Sequence, residues 1–243
     1  MKKLFKAIRQ NNLEAIKDIL EKKPEVVKCM ATPPPKKDEG QSPLQVAVKV
    51  GNLTIAQYLI DKGADVNYME PDNGLSALGC YRCPVLIDAI KGLFFMWEEK
   101  REDYMQLIWR LLELGANPNK TDNRGNNSWD VAVNMYGDFI KTIKETKNQK
   151  IFTEMTKELL DVLMKYNIDK ENVLQLQKDL LRLSVNALEK RYYQFSDILL
   201  LKYILPLVPK EISIDDQSRL RSLLSGINMD DFNIEEWNNG LWW

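Results

Sequence analysis

Gly63-Ala64-Asp65-Val66-Asn67 returns as Gly115-Ala116-Asn117-Pro118-Asn119, each copy directly after a stretch of helical apolar period. Self-similarity of this kind points to stacked helical units, each too small to bury its own apolar face. Upstream of the first copy, residues 40 to 67 read Gly-Gln-Ser-Pro-Leu-Gln-Val-Ala-Val-Lys-Val-Gly-Asn-Leu-Thr-Ile-Ala-Gln-Tyr-Leu-Ile-Asp-Lys-Gly-Ala-Asp-Val-Asn. Ser42 suits an N-cap, and Pro43 a first helical residue, where its missing N–H costs nothing. Leu44 and Ala47 share one helix face, and the small Ala47 lets a second helix approach closely. Gly51 ends that helix; Ile55, Tyr58 and Leu59 then give the apolar stripe of the next. Gly63 supplies the left-handed residue that closes it before the chain turns outward.

This order of a turn and two antiparallel helices resembles the ankyrin repeat. Residues 4 to 23 are similar to an N-terminal capping unit, with Leu4, Ala7 and Asn11 in the places of Leu44, Ala47 and Gly51. Residues 122 to 132 again give turn, glycine and helix start, Trp129 standing where Leu44 stood and Ala132 where Ala47 stood. A weaker start, Asp72-Asn73-Gly74-Leu75-Ser76-Ala77-Leu78, lies between them. The family's Thr-Pro-Leu-His becomes Ser-Pro-Leu-Gln at 42 to 45 and Asn-Ser-Trp-Asp at 127 to 130, so the histidine that links neighbouring repeats is missing. The resemblance implies an all-α helical-repeat solenoid with short turn or hairpin fingers. Its units fall at 1–37, 38–70, 71–120 and 121–169, followed by helical repeats or a cap over 170–243.

The spacing departs from an even period. Gly40 to Gly74 spans 34 residues, close to the repeat length of about 33, but Gly74 to Gly125 spans 51. Gly63 to Gly115 and Gly115 to Asn167 are 52 each, and Asn167 suits the same left-handed helix end as glycine. The third and fourth units therefore carry about 18 extra residues each, which lengthen each helix by about nine residues, or roughly 13 Å, if shared equally. Residues 84 to 97 and 104 to 114 suit such elongated helices, with Glu98 to Asp103 as the charged turn between them. Beyond residue 169, apolar periodicity predicts further helices, including Ile198 to Leu205 and Ser213 to about Leu224.

Composition narrows the chemistry. No histidine occurs, which removes the commonest general base, Ser–His and Cys–His pairs, and histidine metal sites. No glycine-rich phosphate loop is present. The acidic neighbours Asp215-Asp216, Asp230-Asp231 and Glu235-Glu236 point apart on any regular element and read as solvated surface. Cys80 and Cys83 have the spacing of half a zinc site, or of a redox pair ahead of a helix opened by Pro84; packing at a turn is the ordinary reading. No catalytic, cofactor or metal residue is assigned. No run approaches 18 apolar residues, and Arg9, Glu14 and Lys17 interrupt any signal-peptide core, so a cytoplasmic protein with no membrane span is expected, export without a cleavable signal remaining open.

Charge is uneven. Residues 1 to 37 hold ten Lys or Arg against four Asp or Glu, and residues 211 to 243 hold two against seven. These are either solvated faces or a bipolar surface that selects an oppositely charged partner or associates head to tail. The N-terminal lysines lack the interleaved aromatics of a nucleic-acid surface. Phe94-Phe95-Met96-Trp97 exceeds what one helix face can bury, so either residues 139 to 152 cover it or part is exposed. The tail Trp237 to Trp243 either caps the solenoid or offers aromatics to a partner.

The resemblance implies a non-enzymatic module, a monomer, binding a protein partner through turn tips and the inner first-helix surface. Carried over by position, the contacts are Asp38, Glu39, Gln41 and Lys49 in the second unit, and Tyr68 and Met69 at an exposed turn tip. Asp72, Asn73 and Leu75 follow in the third unit, and Asn123, Arg124, Asn126 and Asn134 in the fourth. A dedicated inhibitor, such as a toxin-immunity protein or an exported effector, is the second expectation. An enzyme within 170 to 243 is the third.

Overall fold

The computed structural model describes residues 1–32, 38–71, 82–140 and 142–166. Among the described residues eight α-helices run in order: α1 (Lys2–Arg9), α2 (Leu13–Lys22), α3 (Pro43–Lys49), α4 (Leu53–Asp61), α5 (Val85–Phe95), α6 (Trp97–Glu113), α7 (Ser128–Ile140) and α8 (Thr146–Lys165). A short 3₁₀ turn, Pro24–Lys28, follows α2, and no strand occurs among the described residues. The all-α repeat architecture read from the sequence is the one observed.

Residues 1–135 and 159–166 form one compact unit. Within it α1, α3 and α5 lie side by side, each packed on its own second helix, α2, α4 and α6, and α4 also meets α6. Leu4, Ala7 and Ile8 of α1 correspond to Leu44, Ala47 and Val48 of α3 and to Leu86, Ala89 and Ile90 of α5, and all nine are buried. Ile16 and Leu20, Ile55 and Leu59, and Ile108 and Leu111 close the core from the second helices. Each fully buried Leu or Ile side chain stabilises the stack by roughly 1.5–3 kcal/mol relative to exposure.

The helix ends explain the recurring motif. Gly63 N–H donates to Ile60 O at 2.9 Å and Ala64 N–H to Leu59 O at 3.0 Å; Gly115 to Leu112 O and Ala116 to Leu111 O repeat the pair at 3.0 and 2.9 Å. Both glycines are left-handed, with φ of 85° and 86°, which this closure requires. Asn11, with φ of 52°, closes α1 in the same way, as its alignment with Gly51 predicts. Asp65 and Asn117 then each accept a backbone N–H two residues on, at 2.8 and 2.9 Å, so the two copies match hydrogen bond for hydrogen bond.

The added length is distributed unequally. α5 has 11 residues against 7 in α3, and α6 has 17 against 9 in α4, so α6 takes most of what the even division assigned to both. α5 also begins at Val85, with Pro84 as its N-cap rather than its first residue, eleven residues beyond Gly74; α3 begins three beyond Gly40. Some of the extra chain thus precedes the helix pair. Non-helical backbone at Met96 and at Lys100 brackets a single helical turn, 97–99, so the charged turn expected at Glu98 to Asp103 falls on the kinked start of α6.

The reason lies in tertiary contacts. α6 bends at Lys100 (φ −134°, ψ 26°), whose Nζ donates to Gly51 O at 2.8 Å. Tyr104 O–H donates to Val48 O at 2.9 Å. Lys100 thus satisfies the Gly51 carbonyl just beyond α3, and Tyr104 adds a second donor to Val48 O, which already accepts the Gly51 N–H at 3.1 Å. Gly92 makes room for this: a Cβ there would stand 2.2 Å from Tyr104 Cε1. Of the four apolar residues at the tip, Phe94 is buried, Phe95 is 66% exposed, and Met96 and Trp97 are half-buried.

Of the second unit, residues 136–140 and 142–158 are described. Tyr136 stacks on Phe152 with centroids 5.9 Å apart and shares a 3.2 Å hydrogen bond with Thr153 Oγ1. Phe139 stacks on the same ring at 6.4 Å. The helices predicted for 170–243, Asn167 and the tryptophan-rich tail lie outside the described residues.

Candidate partner-binding surface

Three turns project ahead of the first helices, and all lie in the first unit. Residues 38–41 are closed by Ala31 N–H to Gln41 O (2.8 Å), Gly40 N–H to Ala31 O (2.9 Å) and Gln41 N–H to Asp38 O (3.0 Å). Tyr68 O–H donates to Gly40 O, and Glu70 and Pro71 lie against Gly40, tying the next turn to the first. The third turn is organised by Asp122, whose Oδ1 accepts from Arg124 N at 2.8 Å and Asn126 N at 2.9 Å. Asn123 N–H donates to Arg82 O at 3.1 Å, and its Oδ1 accepts from Arg82 N at 3.3 Å, so this turn too is tied to its neighbour.

Ser42 and Gln45 form a capping box at α3, each accepting the other's backbone N–H at 3.1 Å. Gln45 Nε2 also donates to Cys83 O at 2.9 Å and to Asp88 Oδ2 at 3.3 Å. The glutamine therefore makes the inter-repeat bonds that the missing histidine left open. Asn127 and Asp130 repeat the reciprocal cap at α7, both bonds 3.0 Å.

A row of cations crosses the first helices. Arg9, Lys49 and Lys91 each stand five residues after the matching leucine, Leu4, Leu44 and Leu86. Arg9 pairs with Asp38 of the next turn. Lys49 Nζ lies 3.0 Å from Glu70 Oε1 and 3.4 Å from Asp88 Oδ2. Burial lowers Lys91, with the charges of Asp88 and Asp122 opposing it. Glu70, 6% exposed, also accepts the Cys83 backbone N–H at 3.2 Å. Burial pulls Lys49 down, but Asp88 and then Glu70 outweigh it and hold its ammonium above the ordinary lysine range. Burial pushes Asp88 up to about 6, the field of Lys49 opposing. The Cys83 thiol donates to Asp88 Oδ1 at 3.0 Å and is pushed upward by burial and then by that carboxylate, the reverse of what a nucleophilic or metal-binding thiolate needs. Cys80 lies outside the described residues.

The structure sorts the predicted contacts. Glu39, Arg124 and Asn134 are exposed, and Gln41, Asn123 and Asn126 are half-buried. Asp38 is 6% exposed and is taken by Arg9. The Lys49 side chain is 29% exposed and is held by Glu70 and Asp88. Both therefore brace one unit against the next, and Lys49 is at the same time exposed as a residue. Tyr68 and Met69 are half-buried, not an exposed tip, because Tyr68 reaches back to Gly40. Asp72, Asn73 and Leu75 lie outside the described residues. Sequence reading missed Glu70, Asp88 and the row itself; the cation five residues after each leucine was the available signal.

Among the described residues no helix is long and apolar enough to cross a membrane. Residues 4–81 match the profile of the ankyrin repeats, as three copies. No characterised relative matches the chain. The match covers α1 to α4 and runs on to residue 81, and the first-helix pattern of Leu86, Ala89 and Ile90 extends beyond it.

Proposed function

Because the chain is an ankyrin-repeat protein over residues 4–81, we propose that it is a non-enzymatic module that captures one protein partner with its turn tips and first-helix face. Ankyrin repeats are in general protein-interaction modules. The observation that carries the reading here is the bonding between the described parts of neighbouring turns, Tyr68 to Gly40 and Arg82 to Asn123, which lowers the ordering entropy lost there when a partner docks. Glu39, Lys49, Arg124 and Asn134 are the exposed members of this set, and Gln41, Tyr68, Met69, Asn123 and Asn126 flank them. Asp72, Asn73 and Leu75 complete the proposed contacts. The protein acts as a monomer.

A second reading is a dedicated inhibitor, a toxin-immunity protein or an exported effector. The bent, 17-residue α6 and the unequal helix pairs favour it, since a surface shaped away from the regular repeat suits one target better than many.

Affinity capture from native lysate separates the outcomes. The Glu39→Ala/Arg124→Ala/Asn134→Ala variant alters only exposed side chains, so its circular dichroism should match that of the wild type. A partner held by the wild type and lost by the variant is expected. Equal retention by both would move the contact away from the turns and first helices.

A further inference from the structure

The cation row has unpaired neighbours at its N-terminal edge. Lys2, Lys3 and Lys6 are exposed on α1 and hold no ion pair among the described residues, whereas Arg9, one turn on, is matched by Asp38. Lys2 and Lys6 stand four apart, on one face of the helix. With Phe5, Arg9, Ala31 and Thr32 they line a pocket of about 150 Å³. Phe5 and Ala31 are 5% and 6% exposed and give it apolar walls. The pocket is open to solvent, with Met1, Lys2, Lys6, Arg9 and Thr32 completing its wall, and its size matches about one benzene-sized ring.

Lys2 and Lys3 stand where helix stability opposes them, whereas Lys6 lies in the last turn of α1, where the dipole favours a cation. Cations in a first turn face the positive end of the helix dipole, and α1 has no acidic residue in its first turn to offset them. Local folding gains nothing from Lys2 and Lys3 at this end, and an anionic ligand gains there from both the side chains and the helix end. Residues 1–37, with ten basic and four acidic side chains, extend the attraction beyond contact range.

We infer that this pocket docks an acidic segment of the partner protein, with one aromatic ring in the cavity and flanking Asp or Glu side chains on Lys2 and Lys6. The inference rests on the reading of the chain as a protein-binding module and specifies the chemistry of part of its partner. Shape and charge act together here: the ring supplies contact area, and the carboxylates supply orientation and rate of encounter.

The test titrates the full chain against the fluorescein-labelled peptide Glu-Asp-Phe-Asp-Glu, capped at both ends, and follows fluorescence anisotropy. Saturable binding is expected, weakened by raised salt and by about tenfold in Lys2→Glu/Lys6→Glu. Replacing the peptide's Phe by Gly should weaken it comparably. The two changes act oppositely on α1, Glu at 2 facing the positive end of the helix and Glu at 6 its negative end, so the double variant should melt close to the wild type. Equal binding by the variant, equal binding of the peptide with Lys in place of Asp and Glu, or no binding of the acidic peptide would each overturn the inference. If the acidic peptide fails but the lysate partner is still lost by the Glu39/Arg124/Asn134 variant, only the docking inference falls. If the wild type also captures no partner, the wider reading falls with it.

Discussion

Gln45 occupies the place where the ankyrin repeat carries histidine, and its single amide serves two structures. Oε1 completes the capping box of α3, while Nε2 reaches Cys83 O and Asp88, 38 and 43 residues away in the chain. Gln45→Leu should cost about 2–3 kcal/mol in denaturant unfolding, because it strands buried donors and acceptors. Gln45→His, which can donate across the same gap, should recover most of that loss. Asp88 gives a second expectation. Its carboxyl is pushed up to about 6 by burial, against about 3.9 in the unfolded chain, so between these values the folded state holds a proton that the unfolded state has released. Stability at this site should therefore fall as pH rises from about 4 to 6, by on the order of 2–3 kcal/mol, and level off above. Asp88→Asn should remove that slope when unfolding is measured across the window. The caps at Ser42 and the left-handed Asn11 were legible in the sequence because a cap is local chemistry. The partners of Gln45, Lys49 and Asp38 were not, because nothing in a short window states which distant side chain a cation will meet.

The α5–α6 pair shows the same division between local and distant causes. Its apolar period announced two elongated helices, and both are present. The charged stretch 98–103 read as a turn because an exposed helical turn and a loop share a composition. What makes it helical, and bends it at Lys100, is the reach of Lys100 and Tyr104 to carbonyls at and just beyond the end of α3. That reach depends on Gly92. Gly92→Ala would press a methyl into the ring of Tyr104, which is 1% exposed and has no free space to swing into. A destabilisation of about 1–3 kcal/mol is expected. Unfolding of the variant by urea checks the value, and an unchanged midpoint would mean that α5 and α6 do not meet as closely as described.

Across the first unit, the apolar stack supplies most of the stability, and the polar row of Arg9–Asp38, Lys49–Glu70–Asp88 and Lys91 sets the register of one repeat on the next. The recurrence of Gly63 to Asn67 at Gly115 to Asn119 made this architecture readable, since each unit repeats the same closure. The identity of the partner is written in no such recurrence; it resides in exposed side chains that packing leaves free to vary. The central claim, that the turns and first helices form the contact face, is tested most directly by site-specific photocrosslinking. A photoreactive residue replaces, one at a time, Glu39, Arg124, Asn134 or Glu113, the last on the exposed side of the second helix α6. In native lysate, one common adduct is expected from positions 39, 124 and 134 and none from 113. An adduct at 113 with none at the other three would contradict the account and place recognition on the second-helix layer.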